Sequence, residues 1–246
     1  MRKMTGDEFD PLVTFFDQMA KTSWLSSVHD QLKELTGSWA GKTVLDVGCG
    51  TGRLLARGVS DAHKLIGIDL SKEMIEASKK LLISNKAQNS ELLVGDAYHL
   101  PLANEKIDIA LSTCVMFLLP EPEKGIAEIS RVVKKGGIIA MLNPSTEMSE
   151  ATATNYAVKE KLEGFERESL LKWSTVSTRR HRYTSDQLDS LLFKKGLRNV
   201  SHVPVLAGLA TITVAVKEWK GASQLGVFTF MRCFFCNHKH VLLTSQ

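Results

Sequence analysis

The chain has 246 residues, 43% of them hydrophobic and 24% charged, with 31 basic and 27 acidic side chains. This size and composition predict one globular domain with a sizeable core, or a core domain with appendages. The formal charge of +4 is spread along the chain, so nothing favours nucleic acid as a partner. No apolar run approaches the roughly 18 residues of a transmembrane helix. The four cysteines do not suggest a secreted disulfide framework, so we expect a protein of the reducing cytoplasm.

The first 40 residues are expected to form a helical cap. Residues 8–40 carry apolar side chains at helical spacing and end near Gly37, a pattern that predicts two helices before the first strand. Because one face of each helix is apolar, the two helices should cover part of the domain that follows.

Five short apolar segments then alternate with helical ones, which predicts a parallel sheet with right-handed crossovers. One helix is expected after Ser71, and another between Pro122 and the pair Gly136-Gly137. The five predicted strands are 43–47, 64–69, 91–94, 107–114 and 138–142.

The second half of the chain departs from this alternation. Residues 143–183 are polar and weakly helical, and they are too long for an ordinary connection, which predicts an insertion on the substrate side. Residues 184–187 form a capping-box pattern, and the segments 199–205 and 210–216 read as a hairpin. The predicted fold is therefore α/β: a Rossmann-like, doubly wound, mostly parallel seven-stranded sheet with an antiparallel C-terminal hairpin. The main domain would span 41–220.

A glycine-rich turn, residues 46–52, directly follows the first predicted strand. Glycines there would let the backbone approach a ligand, although a tight turn alone would use the same residues. Asp69 ends the next strand, where a doubly wound fold places the carboxylate that accepts ribose hydroxyls. Residues 94–97 and 112–114 follow the third and fourth strands. Four consecutive strand ends therefore offer ligand-facing groups.

These segments together resemble the class I methyltransferase superfamily that uses S-adenosylmethionine (SAM), especially its ubiquinone/menaquinone-type and small-molecule members. The resemblance covers residues 40–142, including the helix-to-strand signature 128–137. It implies SAM as the cofactor and a small-molecule methyl acceptor. It also implies that Gly48 faces the methionine part, Asp69 the ribose and Asp96 the adenine amino group. The implied cofactor-binding residues are Asp46, Gly48, Cys49, Gly50, Gly52, Asp69, Leu70, Met74, Asp96, Ala97 and Thr113.

The sequence assigns no catalytic residue. Phe117 and Leu118 stand where many relatives carry histidine, and residues 112–115 lack the motif of adenine- and cytosine-amino methyltransferases. The cluster 179–182 could neutralise an anionic substrate, but a solvated turn before the capped helix is the favoured explanation. Candidates for a base, by residue type alone, are His29, His99, Tyr156, His181 and Tyr183.

Other interpretations stay open at this point. A nicotinamide-dependent oxidoreductase would share the strand and turn, but its usual spacing is G-x-G-x-x-G rather than the alternating glycines of 48–52. A non-catalytic SAM-binding protein or partner subunit would fit as well. The C-terminal segment 221–246 could form a structural zinc site, and the alternatives are an edge strand or a tail that lies on a membrane surface. We assign no metal. The metal-capable residues there are Cys233, Cys236, His238 and His240.

Overall fold

The computed structural model describes residues 1–219, and these form the predicted α/β fold. The strands are β1 (Thr43–Val47), β2 (Lys64–Asp69), β3 (Ser90–Val94), β4 (Ile107–Thr113), β5 (Val133–Pro144), β6 (Leu197–Val205) and β7 (Ala210–Lys217). The helices are α1 (Gly6–Phe9), α2 (Val13–Met19), α3 (Ser23–Leu35), α4 (Lys72–Ser84), α5 (Pro122–Val132), α6 (Glu150–Lys159), α7 (Gly164–Ser177) and α8 (Ser185–Phe193).

The seven strands form one sheet in the order β3-β2-β1-β4-β5-β7-β6. Strands β1 to β5 pair in parallel, whereas β7 lies antiparallel between β5 and β6. The strand order reverses between β1 and β4, so a crevice opens beyond their carboxyl ends. Alternate residues of β1 join the two apolar clusters, Val44 on one face of the sheet and Leu45 on the other.

Polar caps start the helices where the sequence predicts them. The Ser71 hydroxyl accepts a hydrogen bond from the Met74 amide at 3.1 Å and so begins α4. At α8, Thr184 and Gln187 form the predicted reciprocal capping box, with hydrogen bonds of 3.0 and 3.3 Å. These contacts satisfy amide groups that the first helical turn leaves without partners.

The boundary between α5 and β5 differs from the prediction. The helix ends at Val132 and β5 begins at Val133, which pairs with Ile107, so Gly136 and Gly137 lie inside the strand. The register of β4 and β5 shifts between Ile107 and Ile109. Gly136 has a φ of +76°, a value that suits glycine, so this glycine accommodates the irregular strand and does not end the helix.

The insertion supports the N-terminal cap from outside. Its helix α7 stacks Trp173 on Trp24 of α3, with ring centroids 5.6 Å apart. The carboxylate of Glu166 accepts hydrogen bonds from the amide and hydroxyl of Ser23 at 2.7 and 2.9 Å. The insertion thus holds helix α3 in place over the sheet.

In the described residues 1–219, no helix combines the length and the apolar character needed to cross a membrane. The same residues contain no group of three or more metal-capable side chains. The zinc hypothesis concerns residues beyond 219, so it lies outside the described residues.

Candidate active site

One cavity lies at the carboxyl ends of β1, β2 and β4 and beside the turn after β3. Ten of the eleven residues expected to bind the cofactor line it. They are Asp46, Gly48, Cys49, Gly50, Asp69, Leu70, Met74, Asp96, Ala97 and Thr113. Gly52 does not line the cavity, because it packs against α4: a Cβ there would lie 2.3 Å from the Ser78 hydroxyl oxygen.

The glycines of the turn serve different purposes. A Cβ on Gly48 would lie 2.1 Å from a methyl carbon of Val115, so this glycine allows two loops to pack closely. Gly50 has a φ of +52°, and a Cβ there would meet no atom within 4 Å. Gly50 therefore presents bare backbone beside open space, as expected of a residue that a ligand approaches.

Two backbone amides fix the carboxylate of Asp69. Its Oδ2 accepts a hydrogen bond from the Gly50 amide at 2.8 Å, and its Oδ1 accepts one from the Ser71 amide at 2.9 Å. Burial raises the pKa of Asp69 although these amides oppose the rise. Because each carboxylate oxygen can accept more than one hydrogen bond, Asp69 retains capacity for two hydroxyl donors.

Asp46 and Thr113 bring unpartnered polar atoms to the cavity wall. Asp46 is 2% exposed, and neither its Oδ1 nor the Thr113 hydroxyl has a hydrogen-bond partner among the described residues. Burial and the neighbouring Asp69 raise the pKa of Asp46 to about 8. Buried polar atoms are nearly always hydrogen-bonded, so two such atoms without a partner are an unusual feature of this cavity wall.

A lysine near the N-terminus contacts the carboxylate of Asp96, and the sequence did not predict this contact. The Lys3 ammonium forms an ion pair with Asp96 Oδ2 and lies 4.3 Å from the centroid of the Tyr98 ring. The other oxygen, Oδ1, accepts a hydrogen bond from the Tyr98 amide at 2.9 Å. Burial would raise the pKa of Asp96, but Lys3 and this amide hold the pKa below its ordinary value.

Two more contacts fasten the N-terminal segment to the end of β2. The carboxylate of Asp10 accepts hydrogen bonds from the Ser71 hydroxyl at 2.5 Å and the Glu73 amide at 3.3 Å. A Cβ on Gly6 would lie 2.3 Å from the Leu70 carbonyl oxygen. Residues 1–12 therefore lie directly on the strand end that carries Asp69.

Helices α2 and α3 contribute the opposite lining of the cavity, which includes Phe16, Met19, Leu25 and His29. The cap thus covers the cavity as expected, whereas no lining residue comes from the insertion 143–183 within the described chain. An ion pair of Arg53 with Asp17, at 2.8 and 3.2 Å, ties α2 to the glycine turn.

Of the five candidate bases, only His29 lines the cavity. Burial and the positive charge of Arg57 lower its pKa to about 3, although Asp30 opposes this shift. The basic cluster 179–182 also lies away from the cavity lining: the guanidinium of Arg182 donates to the backbone carbonyls of Thr146 and Met148 at 3.2 and 2.8 Å.

The model of a family described as a methyltransferase domain matches residues 39–196, more than half of the chain. The chain belongs to this methyltransferase family. The 2-phytyl-1,4-naphtoquinone methyltransferase of Thermosynechococcus vestitus is 28% identical over 214 residues, 77% of this chain and 89% of that protein. The arsenite methyltransferase of Halobacterium salinarum is 36% identical over 104 residues, 41% of this chain and 27% of that protein.

The chain spans between 27% and 62% of the length of several curated relatives that it matches. Among solved structures, a SAM-dependent methyltransferase from Aquifex aeolicus has a TM-score of 0.63 at 21% identity, covering 85% of this chain and 98% of that chain. This structural likeness concerns the fold. The resemblance to quinone-type and small-molecule methyltransferases, read from the motifs, is confirmed.

Proposed function

We propose that the chain is an enzyme that binds SAM and transfers its methyl group to a small-molecule acceptor. One observation carries the proposal: in a chain of the methyltransferase family, the anchored carboxylate of Asp69, the bare backbone of Gly50 and the unpartnered oxygen of Asp46 line one cavity. This is the crevice at which doubly wound sheets bind their ligands.

The residues present fit the cofactor. Asp69 would accept hydrogen bonds from the two ribose hydroxyls, and Asp46 would accept one from the cofactor's amino group. Leu70 and Met74 supply apolar lining, as a purine base requires. Asp96 would accept a hydrogen bond from the adenine amino group on Oδ2, the oxygen that forms the ion pair with Lys3. When bound, SAM supplies a methyl group already activated by its sulfonium.

The protein's own contribution would be to exclude water and to align the acceptor. The cap residues Phe16, Met19 and Leu25 make the lining opposite the glycine turn apolar. The thiol of Cys114, which also lines the cavity, has a pKa raised by burial to about 12 and therefore stays protonated. Cys114 would act as a small neutral side chain and not as a nucleophile. Within residues 1–219, Cys49 and Cys114 are free thiols.

The proposal can be tested by calorimetric titration of the whole chain with SAM, S-adenosylhomocysteine and NADH. We expect the first two to bind and NADH not to bind. The Asp69→Asn variant should bind both adenosyl ligands more weakly, whereas Glu34→Gln, which changes an exposed acid on α3, should bind like wild type. Binding of NADH in preference to SAM would overturn the proposal.

A non-catalytic SAM-binding protein would pass that binding test. Enzyme and binder are separated by incubating the chain with SAM and a panel of metabolites, and by measuring S-adenosylhomocysteine together with methylated product. We expect at least one acceptor to yield both products in equal amounts. Tight SAM binding with no turnover across hydroxyl, amine, thiol and carbon acceptors would favour the binding protein.

A further inference from the structure

His29 is a buried polar side chain whose imidazole has no hydrogen-bond partner. It lies on α3, is 5% exposed and lines the cavity. Neither ring nitrogen bonds to any residue of the described chain, and Nδ1 is fully enclosed. Because Nδ1 is enclosed, Nε2 is the ring nitrogen to which a ligand in the cavity could supply the missing partner.

The lining around His29 differs from the rest of the cavity wall. The lining residues from helices α2 and α3 and from the segment 114–119 are all apolar or neutral, and His29 is the one hydrogen-bonding ring among them. The charged lining residues come from other parts of the chain, and they are Lys3, Asp46, Arg53, Asp69 and Asp96. Arg53 is already paired with Asp17. This part of the cavity therefore suits a ligand without net charge.

Aromatic side chains make this part of the cavity suitable for binding a flat ring. Phe9 and Phe16 both line the cavity, with ring centroids 6.4 Å apart. The thioether of Met19 lies in the same lining, and sulfur makes favourable contacts with aromatic ring edges. Such groups bind planar apolar molecules through stacking and dispersion.

We propose that His29 is the acceptor-binding residue, and that it hydrogen-bonds the hydroxyl of a neutral aromatic acceptor whose remaining surface contacts apolar side chains. This inference rests on the proposed function, because the acceptor must lie beside the SAM site. A neutral imidazole has one N–H donor and one acceptor nitrogen, so Nε2 can accept a hydrogen bond from the hydroxyl group in one tautomer and donate one to the hydroxyl oxygen in the other.

His29 would position the hydroxyl group without taking its proton. The charged groups near the ring are Arg57, on the turn after the glycine loop, and Asp30 on α3 itself. With burial, Arg57 lowers the pKa of His29 to about 3, so the ring stays neutral throughout the physiological range. A positioning role therefore predicts no inflection from His29 in kcat/KM between pH 5.5 and 8.

The test uses 1-naphthol and naphthalene, which share a shape and differ by one hydroxyl group. Their affinities are measured in the presence of saturating S-adenosylhomocysteine for wild type, His29→Leu and His29→Gln. The exposed histidine variant His63→Gln is the matched control. We expect wild type and His63→Gln to prefer 1-naphthol roughly fivefold, the value of one hydrogen bond. His29→Leu should lose this preference, and His29→Gln should keep part of it.

A spectroscopic measurement keeps the test valid if His29→Leu folds poorly. In wild type, long-range ¹H–¹⁵N spectra should show the His29 ring nitrogens shifting on addition of 1-naphthol and not of naphthalene. The proposal is overturned if neither probe binds, if wild type does not discriminate between them, or if His29→Leu retains the discrimination. Failure of S-adenosylhomocysteine itself to bind would instead remove the proposed function, and the inference with it.

Discussion

The raised pKa of Asp46 predicts a measurable dependence of stability on pH. The carboxyl has an ordinary pKa of 3.8 and a pKa of about 8 in the folded chain. Between these values the folded state keeps a proton that the unfolded state loses, so stability falls as pH rises. Raising the pH from 6.5 to 8 should lower the free energy of unfolding by roughly 1–2 kcal/mol through this group alone.

The Asp46→Asn variant isolates this contribution. Asparagine has no proton to lose, so the unfolding free energy of this variant should fall by roughly 1–2 kcal/mol less than that of wild type between pH 6.5 and 8. The pKa of His29 shifts in the opposite direction, to about 3, so the contribution of His29 to the free energy of unfolding changes mainly below pH 6.5. Urea unfolding at both pH values measures the difference, with Glu34→Gln as the control. An equal change in the free energy of unfolding between the two pH values, for wild type and Asp46→Asn, would refute the raised pKa of Asp46.

The same carboxyl predicts proton release on cofactor binding. If Asp46 holds the amino group of SAM, the positive charge beside it lowers the pKa of Asp46, and a group of pKa about 8 then releases most of one proton at pH 7. Calorimetry in phosphate and in Tris reports the number of protons, because these buffers differ in ionisation enthalpy. The Asp46→Asn variant should release none. Equal release from both proteins would place the cofactor's amino group elsewhere.

Three further predictions concern the lining of the cavity. Asp69→Ala should weaken SAM binding by about 1–3 kcal/mol because two hydroxyls lose a charged acceptor, and unchanged affinity in a folded variant would exclude Asp69. Gly50→Val should abolish SAM binding in a folded chain by filling the open space, so wild-type affinity in calorimetry would contradict close approach. Lys3→Met should speed the dissociation of S-adenosylhomocysteine up to about fivefold in stopped flow, since a partly exposed ion pair contributes at most about 1 kcal/mol. An unchanged rate would show that the Lys3–Asp96 ion pair does not hold the N-terminal segment over the bound ligand.

The sequence predicted the sheet and the position of the cavity because both follow from local patterns. Short apolar runs that alternate with capped helices determine a parallel sheet, and parallel strands end on the same edge. Asp46 lies one residue before the end of β1 and Asp69 ends β2, so their convergence could be predicted without any long-range contact. The glycines were harder to assign, because the atoms that their missing side chains would meet, such as Val115 and Ser78, lie far along the chain.

What the sequence could not predict depends on tertiary contacts. Lys3 and Asp96 are 93 residues apart, and no pattern around an N-terminal lysine indicates a partner at such a distance. His29 was one of five candidate bases by residue type, and only the packing of α3 shows that it is buried at the cavity. The start of β5 was misplaced because Gly136-Gly137 resembles a helix stop, while pairing with β4 extends the strand through it.

The N-terminal segment of the cavity wall has few buried contacts. Helix α1 and the turn after it, residues 6–12, contain no buried residue, whereas the sheet behind them is enclosed by two apolar clusters. Segments with few buried contacts open locally at low free energy. The segment is held over the cavity chiefly by the Lys3 ion pair and by Asp10 on Ser71. Entry and release of a cofactor are therefore expected to need movement of residues 1–12 and no rearrangement of the sheet.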